Sequence, residues 1–417
     1  MSVQQQVSEA AQRAREASRT LGSIKGEDRA AALRAMAQRI RDSSAQIIEA
    51  NALDMSAGEE NGLTSAMLDR LLLNEERIES IAVALEEIAE MPDPVGHVLK
   101  EWTIENGLKI QRVSVPIGVI GIIYESRPNV TADAVGLCIK SGNACLLRGG
   151  SEAIHSNLAI AKVLQQAGEA AGLPSGSVSM VPITDREAVR IMCQSPEYID
   201  LIVPRGGEGL IRAVAENAQV PVLKHYRGMT QIYVDEAADI DLAVKVVHNA
   251  KVQRPGVCNA VENLFVHAGA VDVLRAIADD LLDAGVEIRG CPRTLEMVEG
   301  AQPATDEDFD TEYLDLILSV MIVDSLDEAI DQIATHSSGL TEAIITDDQE
   351  VADRFLREVD SAAVYHNAST RLTDGGVFGL GAEIGVSTDK IHARGPVGAA
   401  ELTIYKYVCR GNGQIRT

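Results

Sequence analysis

Between residues 117 and 218 short apolar runs alternate with helical stretches, and few folds accommodate that alternation. The runs are Val119–Tyr124, Ala144–Leu147, Val178–Val181 and Ile199–Val203, with helical patterns near 130–140, 153–171, 185–194 and 208–218 between them. Such runs, with helices between them, read as βαβ units around a parallel sheet. A second set follows residue 258, with strands expected near Leu264–Val266, Leu316–Val323, Leu340–Ile345 and Ala362–Tyr365. The simplest architecture is two α/β domains with Cys258 at their junction.

The rest of the chain reads differently. Helical spacing of Ala, Leu, Gln and Arg predicts helices over Val7–Leu21, Asp28–Leu53, Leu63–Leu73 and Glu75–Met91. Leu99–Ile104 and Leu108–Val115 alternate around Glu105-Asn106-Gly107, and Asn-Gly is a hairpin turn. An isolated hairpin needs a partner strand. Leu402–Val408 has the same alternation and can supply it.

Composition narrows the function classes. With 62 acidic and 37 basic side chains the formal charge is −25, which disfavours nucleic acid as a partner. The acidity reads first as a solvated surface; an anionic substrate then requires a locally basic cleft. Aromatics are only 3%, so the cores must be built from Ala, Val, Leu and Ile. Six cysteines, at 138, 145, 193, 258, 291 and 409, lack CxxC spacing, and neither a metal site nor a disulfide framework is suggested. The N-terminal residues show no secretory pattern, and the apolar run at Val115–Tyr124, broken by Pro116, Gly118 and Gly121, is too short to span a bilayer. A cytoplasmic setting without membrane partners is expected.

Cys258 is the candidate nucleophile. It follows Arg254-Pro255-Gly256, where the chain must turn, and precedes Leu264-Phe265-Val266. A thiol on a turn can be reached by a substrate, and a nearby Arg254 favours the thiolate. Cys138, Cys145 and Cys193 lie in apolar patterns and read as core, Cys409 ends a strand, and Cys291 before Pro292 is the other loop-like thiol.

Five further stretches carry chemistry or a plain structural role. Gly206 and Gly207, between the strand Ile199–Val203 and the next helix, suit either a phosphate site at a helix N-terminus or an ordinary tight turn. Arg148, ahead of Gly149-Gly150-Ser151-Glu152, can meet a phosphate and Ser151 or Glu152 a ribose, while Ser151 reads equally as a helix N-cap. Asn129, beyond the end of the strand Val119–Ile123, is placed to donate to an oxyanion or to cap the following helix. Lys224-His225-Tyr226-Arg227-Gly228 is a basic cluster between the apolar runs Val220–Leu223 and Ile232–Val234, and the glycine-rich Gly375–Gly398 is long enough to suggest a functional loop.

With these residues assembled, the chain resembles the glutamate-5-semialdehyde dehydrogenases, also called gamma-glutamyl phosphate reductases, a branch of the aldehyde dehydrogenase superfamily. The likeness rests on Tyr124-Glu125-Ser126-Arg127-Pro128-Asn129-Val130-Thr131, on Arg254-Pro255-Gly256-Val257-Cys258-Asn259-Ala260 and on Val364-Tyr365-His366-Asn367-Ala368-Ser369-Thr370-Arg371. It continues through residues 378–388 and His392-Ala393-Arg394-Gly395-Pro396, and so covers nearly the whole chain.

The resemblance implies an α/β, aldehyde dehydrogenase-like fold in three parts. These are a Rossmann-like cofactor domain (1–98 and 116–254), an α/β catalytic domain (255–365) and a small oligomerisation sheet (99–115 and 401–417), with 366–400 as a loop-rich return. It implies NADPH as reductant, L-glutamyl 5-phosphate as substrate, a homo-oligomer, and glutamate 5-kinase as partner. Cys258 would form a thioester and Asn129 would hold the oxyanion. Arg127, Arg254 and Arg371 are the phosphate candidates, unranked by spacing. Arg148, Ser151, Gly206 and Gly207 would bind the cofactor, with Glu152 repelling a 2′-phosphate.

Two departures matter. Oxidative members carry a glutamate about three dozen residues before the cysteine, as base for a hydrolytic water, whereas this chain has the Lys224–Arg227 cluster there. A histidine often stands where this chain has Leu340, so no role is carried over to His336. The alternative is a general NAD(P)-dependent aldehyde dehydrogenase oxidising a small aldehyde; a non-catalytic nucleotide-binding or assembly protein with an inert cysteine is the reading from another class.

Overall fold

The computed structural model describes residues 1–125 and 127–416; Ser126, inside the 124–131 motif, lies outside the described residues. Two compact units are present: Met1–Lys224 with Gly379–Gly385 and Val397–Thr417, and His225–Phe378 with Val386–Pro396.

The first unit opens with helices α1 (Val3–Leu21), α2 (Gly26–Asp42), α3 (Ser44–Glu60), α4 (Ser65–Leu71) and α5 (Glu75–Glu90). The single helix expected over 28–53 is two helices that part at Ser43, in an Asp-Ser-Ser run whose side chains compete for main-chain hydrogen bonds. Strands β1 (Val98–Thr103) and β2 (Lys109–Pro116) form the hairpin, with Gly107 at φ +85° as the Asn-Gly turn requires. Then come β3 (Val119–Tyr124), α6 (Asn129–Lys140), β4 (Ala144–Gly149), α7 (Ile154–Ala170), β5 (Val178–Met180), α8 (Arg186–Cys193), β6 (Leu201–Arg205) and α9 (Glu208–Asn217).

Strands β3 to β6 make a parallel sheet in the order β5-β4-β3-β6. The order reverses between β3 and β6, and open α/β sheets bind ligands beyond the carboxyl ends of the strands at such a reversal. The Val220–Leu223 run expected as a strand contributes only an isolated bridge, from Val222 to Ile202. Small side chains fill this core, as the scarcity of aromatics demands: Ala10, Ala11 and Ala14 of α1 and Ala32 and Ala37 of α2 are all buried.

The second unit contains β7 (Thr230–Val234), α10 (Ile240–Val252), β8 (Val261–His267), α11 (Val271–Asp283), β9 (Glu287–Gly290), α12 (Pro292–Met297), β10 (Gln302–Pro303), β11 (Ile317–Val323), α13 (Leu326–His336), β12 (Thr341–Ile345), α14 (Gln349–Glu358) and β13 (Ala363–His366). The strands form a seven-stranded parallel sheet in the order β10-β9-β11-β8-β7-β12-β13. A domain boundary at residue 254 would cut this sheet's unit. β7 and α10 lie before it, yet β7 pairs with β8 and β12, and α10 packs on β8; backbone pairing, which sequence does not display, assigns them here.

One face of the sheet packs Ile232, Leu264 and Val320 against α10 and α11, while the other packs Tyr233, Phe265 and Ile344 under Phe309 and α13 and α14. Next to the second cluster, in register across four strands, stand the fully buried Ser319, Asn263, Gln231 and Glu342. Burial pushes the Glu342 carboxyl up to about 7, against hydrogen bonds from Ser337 and Ser361 and the charge of Arg394. The folded chain therefore holds that proton more tightly than the unfolded chain. The associated stability is present below the ordinary value of 4.5 and is lost as pH rises through about 7. A rise of this size corresponds to on the order of 3 kcal/mol. Glu342→Gln should remove that slope: by urea unfolding, wild type should lose stability relative to the variant between pH 5 and pH 8, and parallel curves would refute it.

The glycine-rich stretch holds β14 (Gly385–Ser387) and β15 (Gly395–Val397), which pair with each other. Finally β16 (Thr403–Arg410) pairs antiparallel with β2, giving the three-stranded sheet β1-β2-β16. Among the described residues no helix is long and apolar enough to cross a membrane.

Candidate active site

The chain leaves α10 at Val252 and enters β8 at Val261, so Cys258 sits on a turn, partly exposed. The turn is held from several directions. Ala260 donates its N–H to the Val257 carbonyl at 3.0 Å, and the Thr230 hydroxyl donates to the Cys258 carbonyl at 2.9 Å. The buried Asn259 donates to the Thr373 carbonyl at 2.8 Å and accepts, at its own carbonyl, the Thr370 hydroxyl at 2.9 Å. Gly228 packs on the nucleophile itself: a methyl group there would come within 2.4 Å of the Cys258 Cα and carbonyl oxygen. The Gly228 N–H donates to Glu312 Oε1 at 2.9 Å.

Arg371 reaches this turn from 112 residues further along, donating to the Asn259 side-chain oxygen and, at 2.9 Å, to Gln253 Oε1. Burial holds its guanidinium below the usual range, with the positive charge of Arg254 adding to that and Cys258 opposing it. Both neighbours thus act on Arg371. The attraction between guanidinium and sulfur also favours the thiolate, the nucleophilic form. Of the three expected phosphate ligands, the structure brings Arg254 and Arg371 together with Cys258, within one unit.

The other thiols separate as expected from their patterns, with one refinement. Cys138, Cys145 and Cys193 are buried. Burial raises Cys145 well above its ordinary value and pushes Cys193 up to about 11. Cys409 is exposed within β16 rather than at its end. Cys291 precedes α12; burial opposes its ionisation, but the Thr294 hydroxyl and main-chain amides outweigh it and leave the thiol lowered. Its charged neighbour is Arg293, which is paired with Asp324.

Arg127, Asn129, Arg148, Ser151, Gly206 and Gly207 belong to the first unit. Arg127 and Asn129 are exposed just beyond the carboxyl end of β3. Asn129 does not cap α6: it is the first helical residue, and its amide donates to Asp133 Oδ2 at 3.0 Å. Burial pushes Asp133 up to about 6, with Asn129 and Arg205 opposing. Gly206 and Gly207 lie at the strand-order reversal, ahead of α9, where the Gly207 N–H donates to Glu125 Oε2 at 2.9 Å. A methyl group on Gly206 would meet that carboxylate at 2.3 Å, so the Glu125 side chain packs directly against the glycine.

Two expectations need correction here. Arg148 is buried, and its guanidinium donates to the Thr184 carbonyl at 2.6 Å, so it braces the loop before α8 instead of facing a ligand. Its Nε has no hydrogen-bond partner. Ser151 does not cap α7. Asp54 does so from α3, accepting the N–H groups of His155 at 3.1 Å and Ser156 at 2.7 Å, which leaves Ser151 exposed. A remote cap of this kind has no local sequence signature.

The basic cluster resolves unexpectedly. His225 Nδ1 pairs with the Val386 carbonyl at 2.9 Å, and Arg227 donates to the Asp310 carbonyl at 3.0 Å. Its glycine lies against Cys258. His336 is paired with Asp310 at 2.7 Å and packs on Phe309. An open cleft of about 630 Å³ in the first unit, lined by Lys25, Arg34, Asp93 and Lys140 among others, contains none of the expected residues. Among the described residues, no group of three or more His, Cys, Asp or Glu is arranged to hold a metal.

Comparison with known proteins agrees with this geometry. The aldehyde dehydrogenase family model matches residues 1–284 and 304–382. A gamma-glutamyl phosphate reductase of Moorella thermoacetica is 53% identical over 417 residues, covering 100% of both chains. The crystal structure of gamma-glutamyl phosphate reductase from Thermotoga maritima superposes with a TM-score of 0.97 at 47% identity, covering 99% of this chain and 100% of that one. An engineered glycolyl-CoA reductase with bound NADP+ shares the fold at a TM-score of 0.65 and 16% identity, over 96% of each chain. With a family model spanning most of its length and relatives this close over all of it, the chain belongs to the aldehyde dehydrogenase family and, within it, to the gamma-glutamyl phosphate reductases.

Proposed function

We propose that this enzyme reduces L-glutamyl 5-phosphate to L-glutamate 5-semialdehyde and phosphate through a thioester on Cys258, a step of proline biosynthesis. The observation that carries the reading is the Cys258 turn with Arg254 and Arg371 beside it, in a chain matching a gamma-glutamyl phosphate reductase end to end. The alternative of simple aldehyde oxidation gains no support from either.

The chemistry follows from these groups. The Cys258 thiolate attacks the acyl carbonyl, forming a C–S bond and placing the electron pair on oxygen. The Cys258 main-chain N–H and the Asn129 amide are the proposed donors to that oxyanion. Its collapse breaks the C–O bond to phosphate, a good leaving group that needs no strong acid. Arg371 and Arg254, with Arg127 as third candidate, take up the phosphate charge. A nicotinamide cofactor, when bound, supplies hydride to the thioester carbonyl. The carbon–sulfur bond then breaks, releasing the aldehyde and restoring the thiolate. The Lys224–Arg227 cluster stands where oxidative members carry the carboxylate base, which suits phosphate rather than water as the acyl acceptor in the reverse direction.

Aldehyde dehydrogenases use nicotinamide cofactors; NADPH as the specific reductant is part of this proposal. The residues proposed to hold it are Gly206 and Gly207, at the strand-order reversal ahead of α9, and the exposed Ser151. A homo-oligomer is proposed through the β1-β2-β16 sheet, where Leu99, Ile404 and Tyr407 are exposed. Because acyl phosphates hydrolyse readily, a kinase partner, glutamate 5-kinase, and a cytoplasmic setting complete the reading.

The test runs the reaction backwards. NADP reduction by glutamate semialdehyde should require inorganic phosphate and saturate with it. Undiminished turnover in phosphate-free buffer would overturn the assignment.

A further inference from the structure

We propose that Lys251 and Glu262 are positioning residues for Cys258, forming a buried charge clamp that closes the loop carrying the nucleophile. The inference rests on the reading of Cys258 as the reacting group.

Lys251 lies in the last turn of α10 and Glu262 is the second residue of β8, so the pair brackets the turn at its two ends. Their side chains are both 0% exposed, with Nζ and Oε2 2.7 Å apart. A buried pair of this kind is a poor choice for stability alone. Both ions lose their hydration, and apolar side chains of similar size do as well or better in such places. Burial drives both partners toward their neutral forms, raising Glu262 to about 7 and lowering Lys251. What the pair supplies that hydrocarbon cannot is direction, since a charged hydrogen bond fixes both distance and angle.

The second Glu262 oxygen extends the clamp. Oε1 accepts the Leu314 N–H at 3.2 Å, and Leu314 is a non-glycine residue in the left-handed region, at φ +55°. A methyl group on Gly256 would lie 3.6 Å from the Leu314 carbonyl, so this strained residue backs onto the nucleophile turn. One carboxylate thereby ties together the end of α10, the start of β8 and the segment behind the turn. The other ties on the turn, from Thr230, Thr370 and Thr373, hold Cys258 and Asn259 locally. The Lys251–Glu262 pair sets where the two ends of the loop stand.

The experiment compares wild type with Lys251→Met/Glu262→Leu, an apolar replacement of the whole pair. Three readouts are taken: thermal unfolding, the rate of iodoacetamide alkylation at Cys258 followed by peptide mass spectrometry, and steady-state kinetics. The variant should unfold near the wild-type temperature, yet alkylate Cys258 about tenfold more slowly and lose about 10- to 100-fold in kcat, with KM for NADPH within twofold. Alkylation of Cys291 in the same samples should not change, which separates repositioning of one sulfur from general loosening. Wild-type kcat and Cys258 alkylation in the stable double variant would overturn the proposal. If the double variant does not fold, Lys251→Arg keeps the charge and alters its reach; it should show the same split, and unchanged kcat and alkylation there would equally overturn it. Alkylation needs no substrate, so its outcome stands whether or not the substrate assignment does.

Discussion

Cys258→Ala should reduce turnover at least about 10,000-fold while leaving the thermal unfolding temperature within a few degrees of wild type. The size of the effect follows from the route. Without the sulfur there is no covalent acyl adduct, and the acyl phosphate itself is a poorer hydride acceptor than a thioester. The small effect on stability follows from the position, a partly exposed turn whose ties run through the main chain of residue 258 and the side chain of Asn259. The measurement is the initial rate of NADP reduction by glutamate semialdehyde with saturating phosphate. More than about 1% of wild-type activity in the variant would remove the covalent mechanism. Cys291, a loop thiol whose pKa is lowered, is the natural rival, and Cys291→Ala should retain activity.

Gly228→Ala is also expected to be damaging, although it removes nothing from the chemistry. The added methyl would overlap the Cys258 Cα and carbonyl oxygen at 2.4 Å, and both are main-chain atoms that cannot rotate away. The backbone at residue 228 has no positive φ to forbid alanine, so the penalty is purely the displacement of the nucleophile turn. A shift of about 1 Å in a reacting group lowers rate on the order of 100-fold, and overpacking of this kind costs about 1–3 kcal/mol. The expected result is therefore a fall in kcat/KM of about 100-fold or more with a modest loss of unfolding temperature. Wild-type kcat/KM in a folded Gly228→Ala chain would show that the turn can move without consequence.

Much of the fold is legible in the chain because it is written in short-range periodicity. The apolar runs of β3, β4 and β6, the helices between them and the Asn-Gly hairpin each express a preference that operates over a few residues. The exposed turn at Cys258 is legible for the same reason, since Pro255 and Gly256 break the helix and Leu264–Val266 begins a buried strand. Arg127, Arg254 and Arg371 stood level as phosphate candidates in the sequence, and spacing alone could not rank them.

Contacts between distant segments were not legible. Asp54 caps α7 from about a hundred residues away, which freed Ser151 from the role its local sequence suggested. Arg148 looked like a ligand for phosphate, yet Thr184 and its burial make it a brace. Placing β7 in the second sheet put Gly228, the last residue of the basic cluster, against the Cys258 backbone. By itself the sequence determined which segments are helix and strand, and which thiol lies on a turn, because local sterics and burial periodicity suffice for that. The order of strands in the sheet decided what stands beside that thiol: Gly228, Thr230, Asn259 and Arg371 converge only when β7, β8, β12 and β13 pair, and pairing depends on packing summed over the whole unit.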